Sequence, residues 1–211
     1  MPRLKRTATA LLALERTTWM VGFVAVCLAA GIWTTGKWSA ASDVALLAAT
    51  ADAIQSSKPD MSLWSPQRIK AWEEAQQPSA GHVLAVMRIP AVKLEVPILE
   101  GTDDRTLDRG AGHIADTARP GAAGNAGIAG HRDGFFRGLK DVKVGDELQI
   151  QTTTATKRYR IERIWIVAPD DVSVLDPTPG PSVTLVTCYP FYYVGSAPQR
   201  YIVRATLAGR P

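Results

Sequence analysis

Metal-binding and cross-linking residues are scarce in this chain: 211 residues contain two cysteines and three histidines. Cys27 falls inside a long apolar run, so a disulfide with Cys188 is geometrically implausible, and Cys188 is the only thiol of the soluble part. No close pair of cysteine or histidine ligands occurs, the spacing that marks zinc sites; a site made from His131, Cys188 and another histidine is the remaining metal reading. The glycine-rich stretch from Gly121 to Gly130 is followed by no Gly-Lys-Ser/Thr and opens no helix, which argues against a nucleotide loop and for tight turns beneath His131. There is no low-complexity run, no internal repeat, and no Ser-His-Gly-Cys sequence of the kind carried by L,D-transpeptidases.

The charge is also local. The net value is +4, and Arg3, Lys5, Arg6 and Arg16 against Glu15 supply +3 of it within the first sixteen residues. The remainder is near neutral, without the Lys/Arg spread over a folded domain that a nucleic-acid surface needs. The basic cluster precedes an uncharged run, Thr17 to Thr35, nineteen residues long and flanked by Trp19, Trp33 and Trp38. That length and those interfacial aromatics predict a membrane-spanning helix, and the positive-inside rule puts the N-terminus in the cytoplasm and everything after residue 36 outside. A cleaved signal peptide ending near Ala40-Ala41-Ser42 is the competing reading.

The expected organisation is thus a cytoplasmic basic tail (1–16), a transmembrane anchor (17–36), an extracytoplasmic spacer (37–81) and a catalytic body (82–211). Ser65-Pro66 predicts a helix start within the spacer, which either packs on the body through Trp64 and Trp72 or serves as a free tether. From His82 onward short β-branched runs alternate with Gly and Pro: Val83–Ile89, Leu94–Leu99, Ala126–Ala129, Glu147–Thr152, Lys157–Val167, Ser182–Thr187 and Gln199–Leu207. Helical turns are expected at Asp103–Arg109 and Phe135–Leu139. Many short strands and no long alternating helices predict an all-β barrel or sandwich.

Cys188 follows the Ser182–Thr187 strand, and Pro190 marks where that strand must stop. A cysteine at a strand end is either held rigidly for chemistry or buried as a structural residue. His131 follows another strand, and Arg200 begins the last one. Those three element ends can supply a nucleophile, a proton donor to a leaving amine, and a cation for a developing oxyanion. Asp133 is placed either to orient His131 or to cap a turn, and Arg204 rivals Arg200 for the arginine role. Asp103, Asp104 and Asp108 read as a solvated helix start rather than as metal ligands, and His82 and His113 as surface or loop histidines.

Thr184-Leu185-Val186-Thr187-Cys188 resembles the TLxTC signature of sortases, and Gly130-His131-Arg132-Asp133 with Phe135-Phe136 resembles the surroundings of their histidine. The run from Thr187 to Val203, containing Ala197-Pro198-Gln199-Arg200-Tyr201-Ile202-Val203, is most similar to class D members. The resemblance covers roughly residues 82–208 and implies an eight-stranded β-barrel with short helices. It further implies Cys188 as nucleophile, His131 as acid/base and Arg200 as stabiliser of oxyanion or substrate. Thr187, Tyr189 and Tyr192 are the expected substrate-binding residues, although Tyr189, Phe191, Tyr192 and Tyr193 equally suit loop packing. The implied reaction is cleavage of an LPxTG-like sorting signal after Thr, through a thioacyl enzyme, and transfer to an amine of a peptidoglycan precursor or a pilin lysine. A thiol endopeptidase and a non-enzymatic barrel are the alternatives. No cofactor is implied; calcium serves some relatives.

Overall fold

The computed structural model describes residues 58–75 and 83–209 apart from Val194, with isolated positions at 20, 23, 26, 45, 47, 49, 50 and 53. The chain divides into Met1–Val44 and Ala45–Pro211, and the fold below belongs to the second unit. The basic tail, most of the expected membrane span, much of the spacer and His82 lie outside the described residues. Among the described residues no helix is long and apolar enough to cross a membrane.

Eight strands close into a barrel in the order β1-β2-β3-β4-β7-β8-β6-β5. They are β1 (Val83–Ile89), β2 (Leu94–Glu100), β3 (Ala111–His113), β4 (Asn125–Ala129), β5 (Glu147–Gln151), β6 (Thr156–Val167), β7 (Ser182–Tyr189) and β8 (Gln199–Leu207). Closure leaves no free sheet edge. Two pairs, β2 with β3 and β4 with β7, run parallel, and the others are antiparallel. The core is filled by alternate residues of these strands, among them Met87, Ile98, Ile128, Ile150, Ile161, Leu185 and Val203, and by Phe136 and Leu139 of a 3-10 turn, Phe135–Asp141.

Among the described residues two continuous α-helices flank the barrel. In α1 (Pro66–Ala75) the Ser65 hydroxyl accepts from the Arg68 amide at 3.2 Å, and Trp72 and Ala75 are buried. Asp103 caps α2 (Asp104–Arg109) by accepting from the Thr106 amide at 3.1 Å. Trp64 meets Phe135 edge-on at 4.7 Å, and Arg137 donates through Nε to the Leu63 carbonyl at 2.9 Å. Residues 61–75 therefore lie against the barrel, beside the turn that follows His131.

Strand β3 was not among the expected strands. It has three residues, and a Cβ on Gly112 would stand 2.2 Å from the Gly101 carbonyl oxygen, so a backbone contact, not side-chain pattern, defines it. His113 is correspondingly a buried strand residue rather than a surface one. Its Nδ1 lies 2.9 Å from Glu100 and its Nε2 3.1 Å from the Ala118 carbonyl, which makes it a structural link.

Leu185 is fully buried where β7 crosses the core. Leu185→Ala is expected to destabilise the fold by about 2–5 kcal/mol, read as a lower urea midpoint for the purified chain.

Candidate active site

Strand β7 carries Cys188 one residue before its end, and the register of its neighbours fixes what stands beside it. Val183 and Leu185 point into the core, so Thr184, Val186 and Cys188 face outward. In the antiparallel β7/β8 pair Cys188 is opposite Arg200. Opposite residues share a face with Cα atoms about 4.5–5.5 Å apart. On the other side, β4 runs parallel to β7 with Ala129 beside Val186, and the Gly130 amide continues the ladder to the Val186 carbonyl at 3.2 Å. His131 follows two residues after Ala129, as Cys188 follows two after Val186.

The join is locked by Thr187, whose buried hydroxyl donates to the Gly130 carbonyl at 2.7 Å. Thr187, an expected substrate-binding residue, is here a buried support for the His131 loop. Gly130 must stay small, because a Cβ there would stand 2.7 Å from the buried Phe136 ring.

Cys188 is a partly exposed free thiol. The Arg200 guanidinium reaches the Gln199 carbonyl at 3.1 Å and the Ala197 carbonyl at 3.4 Å, beside the mouth. Arg204 sits opposite Thr184, four residues along the strand, about 13 Å from the cysteine level. It donates to Thr184 and to the Val174 carbonyl and lies over Trp165, so it is engaged away from the site. Tyr189 turns toward the core mouth, stacking on Tyr201 at 6.0 Å and meeting Phe191 edge-on. Tyr192 is exposed, with the Arg137 guanidinium 4.3 Å from its ring centre. Tyr189, Phe191, Tyr192, Tyr193, Tyr201 and Lys140 border an open cavity of about 470 Å³ on that side.

A second set of residues surrounds the histidine loop, of which sequence reasoning singled out Asp133 and missed the roles of Arg132, Asp108 and Arg68. Arg132 donates through Nη2 to the carbonyls of Tyr193 and Gly195, each at 2.9 Å, tying the β7–β8 loop to the histidine loop. Asp108 is not part of a solvated helix start: its Oδ1 lies 3.7 Å from His131 Nε2 and is also hydrogen-bonded by Arg68 Nη1. Asp133 accepts from the Ser65 hydroxyl at 2.8 Å and from Arg68 Nε at 3.2 Å. Burial pushes the Asp133 carboxyl up, but the Ser65 hydrogen bond and Arg68 outweigh it and hold it below its usual range. For His131, burial and then the Arg68 charge depress the imidazole below its ordinary value, against the opposing pull of Asp108, Asp133 and Asp104. No group of three or more metal-ligating residues occurs among the described residues.

Thr187→Val leaves the buried Gly130 carbonyl without its donor. It is expected to cost about 1–3 kcal/mol, whereas Thr187→Ser retains most of the stability; thermal melts compare the two. A pH dependence also follows. The unfolded chain protonates His131 more readily than the folded one, so this group's stability contribution is complete above its ordinary value of 6.5 and is lost as pH falls below it. Melts between neutral and mildly acid pH should show a shallower loss for His131→Gln than for the unsubstituted chain.

Comparison with known proteins bears on the family and the fold. A sortase-domain family model matches residues 87–208. Sortase D of Bacillus subtilis is 38% identical over 128 residues, 60% of this chain and 65% of that protein. The matches span less than two thirds of the length of the curated relatives. Among solved structures, the Clostridium perfringens Sortase D5 transpeptidase is 31% identical with a TM-score of 0.56, over 67% of this chain and 89% of that one. Sortase E1 from Streptomyces coelicolor, solved with a tripeptide in its active site, is 34% identical with a TM-score of 0.56, over 62% and 91%. With a barrel of this topology and a family match over more than half its length, the chain belongs to the sortase family.

Proposed function

We propose that the protein is a membrane-anchored cysteine transpeptidase that cleaves an LPxTG-like sorting signal after Thr and transfers the acyl fragment to an envelope amine. The observation that supports this reading is register: Cys188 stands opposite Arg200 on one outer face, and His131 follows the strand that pairs parallel to the one carrying Cys188. The Cys188 thiolate attacks the threonine carbonyl carbon, and negative charge collects on the carbonyl oxygen. Arg200 is the cation placed to meet it. The C–N bond then breaks, the imidazolium of His131 gives its proton to the departing glycine amine, and a thioester remains on Cys188. An incoming amine attacks the thioester, its proton passes to His131, and the thiolate leaves. A peptidoglycan precursor or a pilin lysine is the amine in this reading.

Residues 17–36 would hold the chain in the cell membrane, with the N-terminus cytoplasmic and the barrel on the extracytoplasmic side, as the uncharged run and its basic flank support. Hydrolysis is the second reading, since water can attack the same thioester.

Incubating the chain with an LPxTG-type peptide, with and without an amine, separates the two by product mass. A product joined to the amine is expected, together with an acyl adduct on Cys188. Cys188→Ala should lose all turnover with its melt unchanged. Arg200→Ala should lower kcat/KM by about 10²–10³, while Arg204→Ala, bound up with Thr184 and Val174, should leave kcat/KM near the unsubstituted value. Turnover by Cys188→Ala overturns the proposal.

A further inference from the structure

One feature beside the reaction centre has no place in the steps above: a guanidinium from outside the barrel wedged between two carboxylates that flank His131. Arg68 belongs to α1, which precedes the barrel in sequence. Its Nη1 takes Asp108 Oδ1, and its Nε takes Asp133 Oδ1 at 3.2 Å. The same Asp108 oxygen stands 3.7 Å from His131 Nε2, too far for a hydrogen bond, and that ring nitrogen is buried without any partner. The side chains of Arg68, Asp108 and His131 are only 19%, 16% and 20% exposed, so bulk water does little to screen them.

We propose that Arg68 is a positioning residue for His131: by occupying the Asp108 oxygen nearest the imidazole and holding Asp133, it prevents either carboxylate from capturing the ring. The proposal rests on the reading of His131 as the proton carrier of the reaction. A ring that must protonate a leaving amine and then accept a proton from an incoming one cannot be held fast as a carboxylate-bound imidazolium. With Arg68 absent, Asp108 Oδ1 needs to move by less than 1 Å to reach hydrogen-bonding distance of Nε2, since ordinary N···O bonds span about 2.7–3.2 Å.

The placement of Arg68 is built rather than incidental. Ser65 caps α1 by accepting from the Arg68 amide, and its hydroxyl donates to Asp133 Oδ2 at 2.8 Å. The Ser65 amide donates to the Asp133 carbonyl at 3.2 Å. Trp64 against Phe135, Arg137 to the Leu63 carbonyl and the buried Trp72 fix the segment on either side. A Cβ on Gly134 would stand 3.1 Å from Arg68 Cγ, so the histidine loop is shaped to admit the arginine stem.

The charged groups acting on His131 are Arg68 on α1, Asp104 and Asp108 on α2 and Asp133 on its own loop, while Arg132 of that loop donates to the Tyr193 and Gly195 carbonyls and Cys188 and Arg200 stand paired on β7 and β8. Arg68 is the member of this set that hydrogen-bonds both Asp108 and Asp133.

The test reads the His131 ring directly, in full-length protein labelled at histidine, by NMR titration without substrate; the His131→Gln variant assigns its signal among the three histidines. In Arg68→Ala the midpoint should rise, because a repelling cation is lost and Asp108 gains the ring. Adding Asp108→Asn should bring it back down. Arg68→Lys, which keeps the charge but not the two-pronged fork, should fall between. Arg68→Gln replaces Arg68→Ala if the latter fails to fold. In the peptide assay kcat should fall about tenfold in Arg68→Ala with KM little changed, and recover in part in the Asp108→Asn double variant. A midpoint that stays or falls in folded Arg68→Ala, or that rises equally with Asp108→Asn present, overturns the proposal. Because the titration needs no turnover, it stands even if the transpeptidase reading fails, and a normal titration response with an inactive chain would indict only that reading.

Discussion

The parallel pairing of β4 with β7 is the constraint on which the site depends. Cys188 and Arg200 are neighbours by virtue of an antiparallel pair of consecutive strands joined by the loop 190–198, an arrangement that local sequence can set up. His131 arrives differently, from a strand 57 positions upstream that must find β7 and lie alongside it in the same direction with Ala129 at Val186. A one-residue slip would turn His131 to the opposite face and leave the thiol without an imidazole. The register is therefore secured by polar contacts that tolerate no slip. At one end Asn125 accepts from the hydroxyls of Ser182 and Thr184, and its amide donates to the Val174 and Asp176 carbonyls. At the other end Thr187 holds the Gly130 carbonyl.

These buried polar groups explain why the TLxTC-like stretch is not simply a run of large aliphatic residues. Val183 and Leu185 serve the core, while Thr184 and Thr187 each hold a partner on the neighbouring strand. A Val at 187 would pack about as well and leave the Gly130 carbonyl without its hydroxyl donor, and a Val at 184 would take from Asn125 the shorter of its two hydroxyl donors; unsatisfied buried acceptors cost more than an average hydrogen bond gains. The same logic reaches Arg204, which shares Thr184 and the Val174 carbonyl and so belongs to the register lock rather than to the chemistry.

Much of this was legible before any coordinates. Strands β1 and β8 run over Val83–Ile89 and Gln199–Leu207, the bounds that alternation and proline punctuation predict, because their turns are marked by residues with restricted backbones. Strand β7 extends two residues past its expected end, through Cys188 to Tyr189, since the ladder to β8 persists up to the Pro190 that cannot donate. The eight-stranded barrel was supplied by family resemblance and not by pattern, and its strand order came only with the structure, as strand periodicity carries no information on which strands pair. Short β3 was invisible because its three residues are defined by backbone approach. Asp108 as a neighbour of His131 was invisible for a related reason, whereas Asp133, two residues from His131, was within reach of a local reading. Nothing in the local sequence of Asp108 distinguishes a solvated first-turn aspartate from one turned toward a histidine, and Arg68 finds its two partners 40 and 65 residues away.

That distance gives the electrostatics of the site its logic. A histidine beside Asp104, Asp108 and Asp133, taken alone, would be expected to hold its proton strongly, yet burial and Arg68 tip the balance the other way. The net result is an imidazole poised toward the neutral form in a setting rich in acidic groups. Burial is the larger cause, and the cation that adds to it lies on α1, a helix outside the barrel's hydrogen-bonded circuit. Residues 61–75 are in that sense part of the site: the cap at Ser65, the Trp64–Phe135 contact and the Arg137 bond to Leu63 spend their stabilisation on holding a single charge in place.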